Sequence, residues 1–381
     1  NIAFGEYVIT FKYDTTHGAI EKIPLDSQIT NINLNATLLK LSEITGQVPN
    51  SNAEAGYTQV YVEGTDIHQQ INADGSFDPW DFIESITAIN FIGDIGNAEK
   101  AFLWLKANQN DDGSWYAKYS SNGDILEKNK PTHFSPYISI GLLHYYKIFL
   151  NKEFLKNLWP TVEKALNFSL SLQNKNGTIP WSVDQNGNIE DDYLLTGSSS
   201  ILKGIECAMA ISKILGFSDQ EQWKQSYEFL STAIKNPSGL FDLQKDRSNF
   251  SMDSYYPILS GCLSNDEIDK HITHTLVNFY DEGLGIRCVQ EEPWVTVAET
   301  CECSIAFKKM GHEKNAQELL LNASAIVDES SIPYMGWQLE EKIYWPEEQP
   351  SWTAGALILA ADANNALTKA ANLFLTKQFN S

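Results

Sequence analysis

Six stretches of the sequence combine carboxylic acids with tryptophan or tyrosine, and this combination suits the binding and cleavage of sugars. Flat aromatic rings stack on the C–H faces of sugars, carboxylates accept hydrogen bonds from hydroxyls, and two carboxyl groups can together cleave a glycosidic bond. The stretches are 78–81, 111–133, 181–193, 246–256, 287–302 and 334–352. We therefore predict a polar pocket with aromatic walls where these stretches converge.

The candidate substrate-binding side chains are acids, aromatics and bases of these stretches. They are Asp78, Trp80, Asp81, Trp115, Lys118, Tyr119, His133, Trp181, Asp253, Tyr255, Tyr256, Arg287, Trp294, Glu299 and Trp345. Some of them have a structural alternative. Asp78 can cap a helix, and Trp294 can pack beside a helix start.

Two acids in one apolar segment carry a stronger signal. Glu299 and Glu302 lie in VTVAETCECSIAF, whose other residues are largely apolar. A charge that faces inward there needs a partner, because burying an unpaired charge is costly. Arg287 is the candidate partner, and Glu299 is predicted to face the pocket. Tyr255 and Tyr256, in SMDSYYPIL, are predicted either to face the pocket or to pack in the core.

Apolar residues recur at i, i+3, i+4 and i+7 through most of the chain, and this pattern predicts about twelve helices. The predicted helices are 35–46, 80–93, 97–108, 135–150, 152–172, 199–215, 219–235, 253–263, 266–280, 296–310, 314–327 and 351–367. Short links alternate with long loops, which predicts six helical hairpins closed in a ring, with the long loops at one end. The predicted fold class is therefore all-α, a six-hairpin (α/α)6 barrel. A solenoid of helix pairs, or a ring of five or seven pairs, is the alternative.

The N-terminal residues follow a different pattern. EYVITFKYD alternates like a strand, and the TTHG that follows is typical of a turn. We predict a short β-like arm over residues 1–30 and a barrel domain over residues 31–381.

The bulk composition limits the possible partners. The net charge of −22 repels phosphates, so neither nucleic acid nor an anionic membrane is expected to bind. No apolar run approaches the roughly 18 residues of a membrane span. The expected partner is a small molecule or an oligosaccharide, and the oligomeric state is left open.

The cysteines and the N-terminus suggest a cytoplasmic location. The five cysteines lie mostly in apolar helical patterns and are expected to be reduced thiols. No basic region followed by an apolar core marks a signal peptide, although a leader removed before residue 1 remains an alternative. No metal or other cofactor is expected, since His271 and His274 lack a third ligand and no nucleotide-binding motif occurs.

From Asp78 to His144 the order of features resembles that of bacterial glucoamylase-type glycoside hydrolases. The resemblance lies in FDPWDFIESITAINFIGDIGNAEKAFLWLKANQNDDGSWYAKYSSNGD, PYISIGLLHYYKIFLNKEFLKNLWPTVEKALNF and PSWTAGALILAAD, and it covers about half of the chain. That group folds as an (α/α)6 barrel, so the resemblance implies the same fold here.

The catalytic pair of these hydrolases is not transferred directly. Their general acid is a Glu that follows a Trp in the third long loop, whereas here Ser182 follows Trp181. By the resemblance, Asp184 or Asp191 is then expected as the acid. Glu348 or Glu347, shortly before the last predicted helix, is expected as the base.

We also assign roles in sugar binding to residues of the six stretches. Asp81 and Glu299 are expected to bind hydroxyls of the terminal sugar. The expected stacking residues are Trp80, Trp115, Trp294 and Trp345.

A second resemblance spans most of the chain. LLTGSSSI, SMDSYYPIL, GLGIRCV, PWVTVAETCE and WPEEQPSWTAGA resemble a set of bacterial proteins often labelled prenyltransferase-like. It implies an isoprenoid substrate as an alternative. The Asp-x-Asp-Asp string of squalene-type cyclases is absent from the sequence, and no Asp precedes Cys207 at the spacing of a prenyltransferase zinc site.

The sequence thus predicts a carbohydrate-active protein, specifically an inverting glycoside hydrolase that acts on an α-linked oligosaccharide or glycoconjugate. In an inverting mechanism one carboxylic acid protonates the leaving oxygen, and a carboxylate about 6.5–9.5 Å away activates water. Two alternatives stay open. One is a sugar-binding barrel without catalysis, and the other is a prenyltransferase-like or terpene-cyclase-like enzyme.

Overall fold

The computed structural model describes four short strands near the N-terminus and most of the chain from residue 76 onward. The described ranges are 2–4, 7–9, 12–14, 19–21, 76–120, 123–217, 220–244, 246–328, 332–345 and 349–379.

Eleven helices make up most of the described residues. They are α1 (Pro79–Ile92), α2 (Ile95–Ala107), α3 (Phe134–Phe149), α4 (Lys152–Ser171), α5 (Leu195–Leu215), α6 (Glu221–Lys235), α7 (Met252–Ser260), α8 (Asn265–Asn278), α9 (Val297–Lys309), α10 (Glu313–Ala325) and α11 (Ser351–Asn365). They correspond one by one to the predicted helices, and the mainly helical class is confirmed. The twelfth predicted helix, 35–46, lies outside the described residues.

The odd-numbered helices form a closed ring. Each of α1, α3, α5, α7, α9 and α11 contacts the next in this order, and α11 contacts α1. Nearly all residues of α11 are buried, as expected for a helix that is covered on every side. The even-numbered helices, such as α4 and α6, are amphipathic and cover the outside. The fold is therefore a helical toroid, and a complete barrel of six hairpins remains a prediction.

Helix α5 begins at Leu195, four residues before its predicted start. The backbone N–H of Thr196, in its first turn, donates to Asp253 Oδ1 over 3.1 Å. Asp253 belongs to the first turn of α7, so an acid of one inner helix caps the N-terminus of its neighbour. A cap supplied from 57 residues away leaves no local sequence signal.

The long loops contain short strands that the sequence analysis did not predict. A five-stranded antiparallel sheet, the rim sheet, has the order β13-β12-β11-β10-β9. Its strands are β9 (Tyr280–Asp281), β10 (Gly285–Arg287), β11 (Trp294–Thr296), β12 (Gly336–Gln338) and β13 (Ile343–Tyr344). Two smaller pairs are β5 (Lys118–Tyr119) with β6 (Ile125–Glu127), and β7 (Lys130–Pro131) with β8 (Ser182–Val183).

The first residues form two antiparallel strand pairs. These are β1 (Ile2–Phe4) with β2 (Tyr7–Ile9), and β3 (Lys12–Asp14) with β4 (Ala19–Glu21). They agree with the β-like character predicted for this segment. The boundary between arm and barrel at residue 30 stays a prediction.

Two further expectations concern cysteines and membranes. None of the five cysteines forms a disulfide; four are buried and Cys288 is half-buried. In the part of the chain that the structure describes, no helix has the length and apolar character needed to cross a membrane.

Two loops carry the same hydrogen-bonded feature, which we call the glutamine staple. Gln109 Nε2 donates to Gly113 O within its own loop, over 3.0 Å, and to Thr161 O of helix α4, over 2.9 Å. Gln173 Nε2 donates in the same way to Gly177 O and to Ser226 O of helix α6. Each staple ties the loop after one outer helix to the next outer helix around the ring.

Replacing Gly113 by Ala is expected to lower the free energy of unfolding by about 2–4 kcal/mol. Its φ is +94°, and an added Cβ would lie 2.1 Å from Lys164 O, a backbone atom that cannot easily move. Gly93→Ala is the matched control, since Gly93 also has a positive φ but nothing within 4 Å of an added Cβ. Denaturant titration measures both losses. Equal losses in the two variants would contradict a close-packed staple.

Candidate active site

A cavity of about 330 Å³ opens where the inner helices begin. Every inner helix contributes a residue from its first turns or from the residues just before it. The lining residues are Asp78, Trp80, Asp81, Glu84, His133, Phe134, Leu194, Thr196, Arg247, Phe250, Met252, Asp253, Ala298, Glu299, Glu302 and Trp352. We call this space the central cavity.

Four acids of the central cavity lie in two layers. Asp81 and Glu84 are the third and sixth residues of α1, and Glu299 and Glu302 are the third and sixth residues of α9. Because an α-helix rises 1.5 Å per residue, the second acid of each pair lies about 4.5 Å farther along its helix. Glu84 and Glu302 are only 5% and 9% exposed, whereas Asp81 and Glu299 are half-buried. Glu84 and Glu302 therefore form the deeper layer.

Glu302 is held by two consecutive tyrosines of α7. The Tyr255 hydroxyl donates to Glu302 Oε2 over 2.6 Å, and the Tyr256 hydroxyl donates to Oε1. Burial raises the pKa of Glu302 to about 7, while the two phenols stabilise the ionised form and oppose that rise. The carboxyl thus titrates near neutral pH in a fixed orientation.

Glu84 favours the protonated form. Burial raises its pKa well above the ordinary value, and the negative charges of Glu302, Asp78 and Glu299 raise it further. Burial and the neighbouring carboxylates Asp78 and Glu84 also raise the pKa of Asp81. A carboxyl that keeps its proton at neutral pH can act as an acid.

Trp80 forms the aromatic wall of the cavity. It stacks on Tyr137, with ring centres 4.7 Å apart, and meets the rings of His133 and Tyr256 edge to face. Burial lowers the pKa of His133 to about 3, and the positive charge of Arg247 lowers it too, so His133 is neutral at physiological pH. The wall is therefore flat and uncharged.

Arg247 is the only Arg or Lys among the described residues that line the cavity. Its guanidinium carbon lies 4.6 Å from the ring centre of Trp181 and 5.2 Å from that of Phe250. Such cation–π contacts hold a guanidinium in place without an ion pair to a carboxylate. Trp181, predicted to contact substrate, is placed beside Arg247 and not on the cavity wall itself.

The structure places six of the predicted substrate-binding residues on the cavity wall. They are Asp78, Trp80, Asp81, His133, Asp253 and Glu299. Asp78 is also the N-cap of α1, since its Oδ1 accepts from Asp81 N over 3.0 Å. Tyr255 and Tyr256 lie behind the wall and act on it through Glu302.

Three predicted residues from the loop after α2 lie elsewhere. Trp115 is fully buried and its indole N–H donates to Leu105 O over 2.9 Å, while Tyr119 is 2% exposed and accepts from Tyr116 N. Both side chains turn into the core, so the prediction that they face the substrate at the rim is wrong. Lys118 is not on the wall either, although its charge lowers the pKa of Asp78 against the larger effect of burial.

Two predicted residues, Arg287 and Trp294, belong to the rim sheet, and a third, Trp345, directly follows its strand β13. Arg287 forms a two-pronged ion pair with Asp281 across 2.5 and 2.9 Å, so it is not the partner of Glu299. Trp294 and Trp345 contact each other edge to face, with ring centres 4.6 Å apart, and neither lines the central cavity.

Of the four acids proposed as catalytic from the sequence, the two that the structure describes, Asp184 and Asp191, do not line the central cavity. Asp184 is half-buried and accepts from Asn186 N and Asn188 N, both over 2.8 Å, so its side chain closes a turn. Asp191 is exposed. Glu347 and Glu348 lie outside the described residues.

Glu84, Arg247, Glu302 and Trp352 line the cavity but were not among the candidate catalytic or substrate-binding residues. Glu84 did leave a signal, because it is an acid within the apolar segment FIESITAINF, as Glu299 is in its own helix. For Arg247 and Trp352 the only signal in the sequence was the residue type within a polar, aromatic loop.

A curated enzyme is 34% identical to this chain over 300 residues, which are 79% of this chain and 82% of that enzyme. It is the MMP endo-(1,4)-3-O-methyl-alpha-D-mannosidase of Mycolicibacterium hassiacum. This chain belongs to the family of that mannosidase. No protein-family model matches the sequence.

Solved structures show the same fold at low sequence identity. A wild-type glycosidase has a TM-score of 0.62 at 10% identity and covers 87% of this chain and 98% of its own. The GH63 mannosylglycerate hydrolase of Thermus thermophilus has a TM-score of 0.61 at 11% identity, covering 84% and 98%. Family membership and these folds agree with the glycoside-hydrolase resemblance. They give no support to the prenyltransferase-like one.

Proposed function

We propose that this protein is an inverting glycoside hydrolase that cleaves α-mannosidic bonds in an oligosaccharide, with Glu84 as general acid and Glu302 as general base. The observation that carries the proposal is this pair of buried carboxyls, each the sixth residue of an inner helix, in one cavity beside Trp80. Membership of the mannosidase family supports both the reaction and the sugar.

The roles follow from what surrounds each carboxyl. Two phenolic O–H groups donate to Glu302 and favour its ionised form, which a base requires. No such pair of donors is seen at Glu84 among the described residues, and neighbouring carboxylates disfavour its ionised form. Glu84 therefore holds the proton that the leaving oxygen needs.

The reaction then proceeds in one displacement. Glu84 gives its proton to the glycosidic oxygen as the C1–O bond breaks and its electron pair passes to that oxygen. Glu302 takes a proton from a water whose oxygen attacks C1 from the opposite face. Helix α11 separates α1 from α9 in the ring, which suits two carboxyls that face each other across space for a sugar and a water.

The remaining wall residues bind the sugar. Asp81 and Glu299, in the shallower layer, accept hydrogen bonds from sugar hydroxyls. Arg247 donates hydrogen bonds to sugar hydroxyls. Trp80 covers an apolar face of the ring. Trp294 and Trp345 remain proposed stacking residues for sugar units outside the cavity.

The cavity chemistry weighs against the isoprenoid alternative. Six carboxyl side chains line the cavity, and Arg247 is the only cation among the described lining residues at neutral pH. A prenyl diphosphate would bring more negative charge into this field and be repelled. A neutral oligosaccharide meets no such penalty.

The proposal is tested by incubating the protein with α-(1,4)-linked mannose oligosaccharides, with and without 3-O-methyl groups, and following the products by proton NMR. Inversion gives the β-anomer as the first product, before mutarotation. An α-anomer formed first would overturn the inverting mechanism. Binding without turnover would instead favour the sugar-binding alternative.

Replacing Tyr255 or Tyr256 by Phe is expected to move the acidic limb of the kcat/KM profile to higher pH. The base must be ionised, so activity falls as pH drops through the Glu302 pKa of about 7. Each phenol lowers that pKa, hence its removal raises it. Tyr116→Phe, on the half-buried loop after α2, is the control. If neither Tyr255→Phe nor Tyr256→Phe shifts the acidic limb of the kcat/KM profile, Glu302 is not the base.

A further inference from the structure

A second cavity, of about 470 Å³, lies beside the central one and is called here the outer cavity. It is bounded by the loop that precedes α7, by the first turn of α7 and by the outer helix α8. Its lining residues are Leu195, Phe241, Asp242, Asp246, Ser248, Asp253, Ser254, Lys270, His271 and His274. It therefore lies on the outward side of the rim.

Asp253 lines both cavities. Its Oδ1 accepts from the backbone N–H and the hydroxyl of Thr196. Its Oδ2 is buried and has no hydrogen-bond partner in the described part of the chain. An unpaired buried carboxylate oxygen is costly unless a ligand supplies a donor.

Residues 246–248 contribute to both cavities. Arg247 lines the central cavity, whereas Asp246 and Ser248, its two neighbours, line the outer one. Leu195 and Thr196 divide in the same way, with Leu195 on the outer side and Thr196 on the central side. The two cavities are therefore adjacent, and Asp253 is a lining residue of both.

The outer cavity offers both donors and acceptors. Asp242 and Asp246 accept hydrogen bonds, Lys270 donates them, and the two ring nitrogens of His274 offer a donor and an acceptor. Phe241 adds an apolar surface. This mixture, with neither sign of charge alone, suits a neutral polyhydroxyl chain.

We propose that the outer cavity binds further sugar units of the same oligosaccharide whose bond is cleaved in the central cavity, with the chain passing over Asp253. This inference rests on the proposed function and deepens it. Asp253 Oδ2 accepts a hydroxyl at the crossing point, and the His271-Ile-Thr-His274 segment of α8 serves as the far wall.

The test compares binding of an α-(1,4)-linked mannose hexasaccharide and disaccharide to the Glu302→Gln protein by calorimetry. The hexasaccharide is expected to bind more tightly. Replacing both Lys270 and His274 by Ala is expected to cut that advantage about tenfold, as the loss of two hydrogen bonds would. Both residues are exposed on α8, so the variant is expected to fold.

The matched control is Asp269→Ala with Thr273→Ala, an exposed pair at the same i, i+4 spacing on α8 that does not line the cavity. It should leave the advantage unchanged. An unchanged advantage in the Lys270/His274 variant, or no advantage at all, overturns the inference. Chain-length-dependent binding with no hydrolysis by the wild type overturns only the proposed function, and absence of binding overturns both.

Discussion

Glu302→Gln is expected to lower kcat for oligosaccharide hydrolysis by a factor of about 10²–10⁴, the usual contribution of a general base. The amide cannot take a proton from the attacking water. Its size is nearly that of the carboxyl, so Tyr255 and Tyr256 keep one acceptor and the cavity keeps its shape. KM should therefore change much less than kcat, and initial-rate kinetics on a mannose oligosaccharide measure both.

Glu348→Gln is the informative comparison for Glu302→Gln. The sequence assigns the base to Glu348 or Glu347, and the structure favours Glu302. If Glu348→Gln abolishes hydrolysis while Glu302→Gln retains wild-type kcat, the sequence-based assignment is right and ours is not. Circular dichroism of both variants shows that a loss of activity is not a loss of fold.

Glu84→Gln is expected to lower kcat by a similar factor of about 10²–10⁴ on natural substrates, but far less on a substrate with a good leaving group. The dinitrophenolate group of a dinitrophenyl α-mannoside leaves without being protonated. Hydrolysis of this substrate therefore does not need the general acid but still requires the base. The ratio of the rates of Glu84→Gln on the two substrates therefore distinguishes a general acid from a residue with any other role. Asp184→Asn is the control, since Asp184 is the acid proposed from the sequence.

Equal losses on both substrates in Glu84→Gln would show that Glu84 is not the acid. A stability measurement guards against misfolding. Because the folded-state pKa of Glu84 is raised, ionisation costs the folded protein stability as pH rises above the ordinary value of 4.5. Glu84→Gln should then raise Tm relative to the wild type at pH 7.5, and this gain should vanish near pH 4.

The sequence predicts the helices well because the apolar spacing depends on local geometry. The inner helices, exemplified by α11, are apolar on nearly all faces, and the outer helices, exemplified by α6, have one apolar face. The start of α5 could not be predicted, since its cap, Asp253, comes from another hairpin. The rim sheet was missed because strands of two or three residues are too short to show an alternation.

The site was harder to predict because side-chain direction in a loop depends on tertiary contacts. Trp115 looks like a rim residue in sequence, yet its indole N–H folds back to a carbonyl of the preceding helix. Asp184 lies in a loop whose acidic and aromatic composition is typical of a catalytic loop, yet its side chain only closes a turn. Residues on helices, such as Glu84 and Glu299, follow the helical period, and for them the sequence carries usable information.

The glutamine staples divide each loop into a segment that must stay constant and a segment that can vary. Each staple fixes the first five residues of its loop, Gln109 to Gly113 and Gln173 to Gly177, against the next outer helix. Apart from core residues such as Trp115 and Tyr119, the residues that follow are held between two helices whose positions they do not determine. Such loops can be exchanged as cassettes between relatives, so that a family could acquire new sugar preferences without altering the scaffold beneath them.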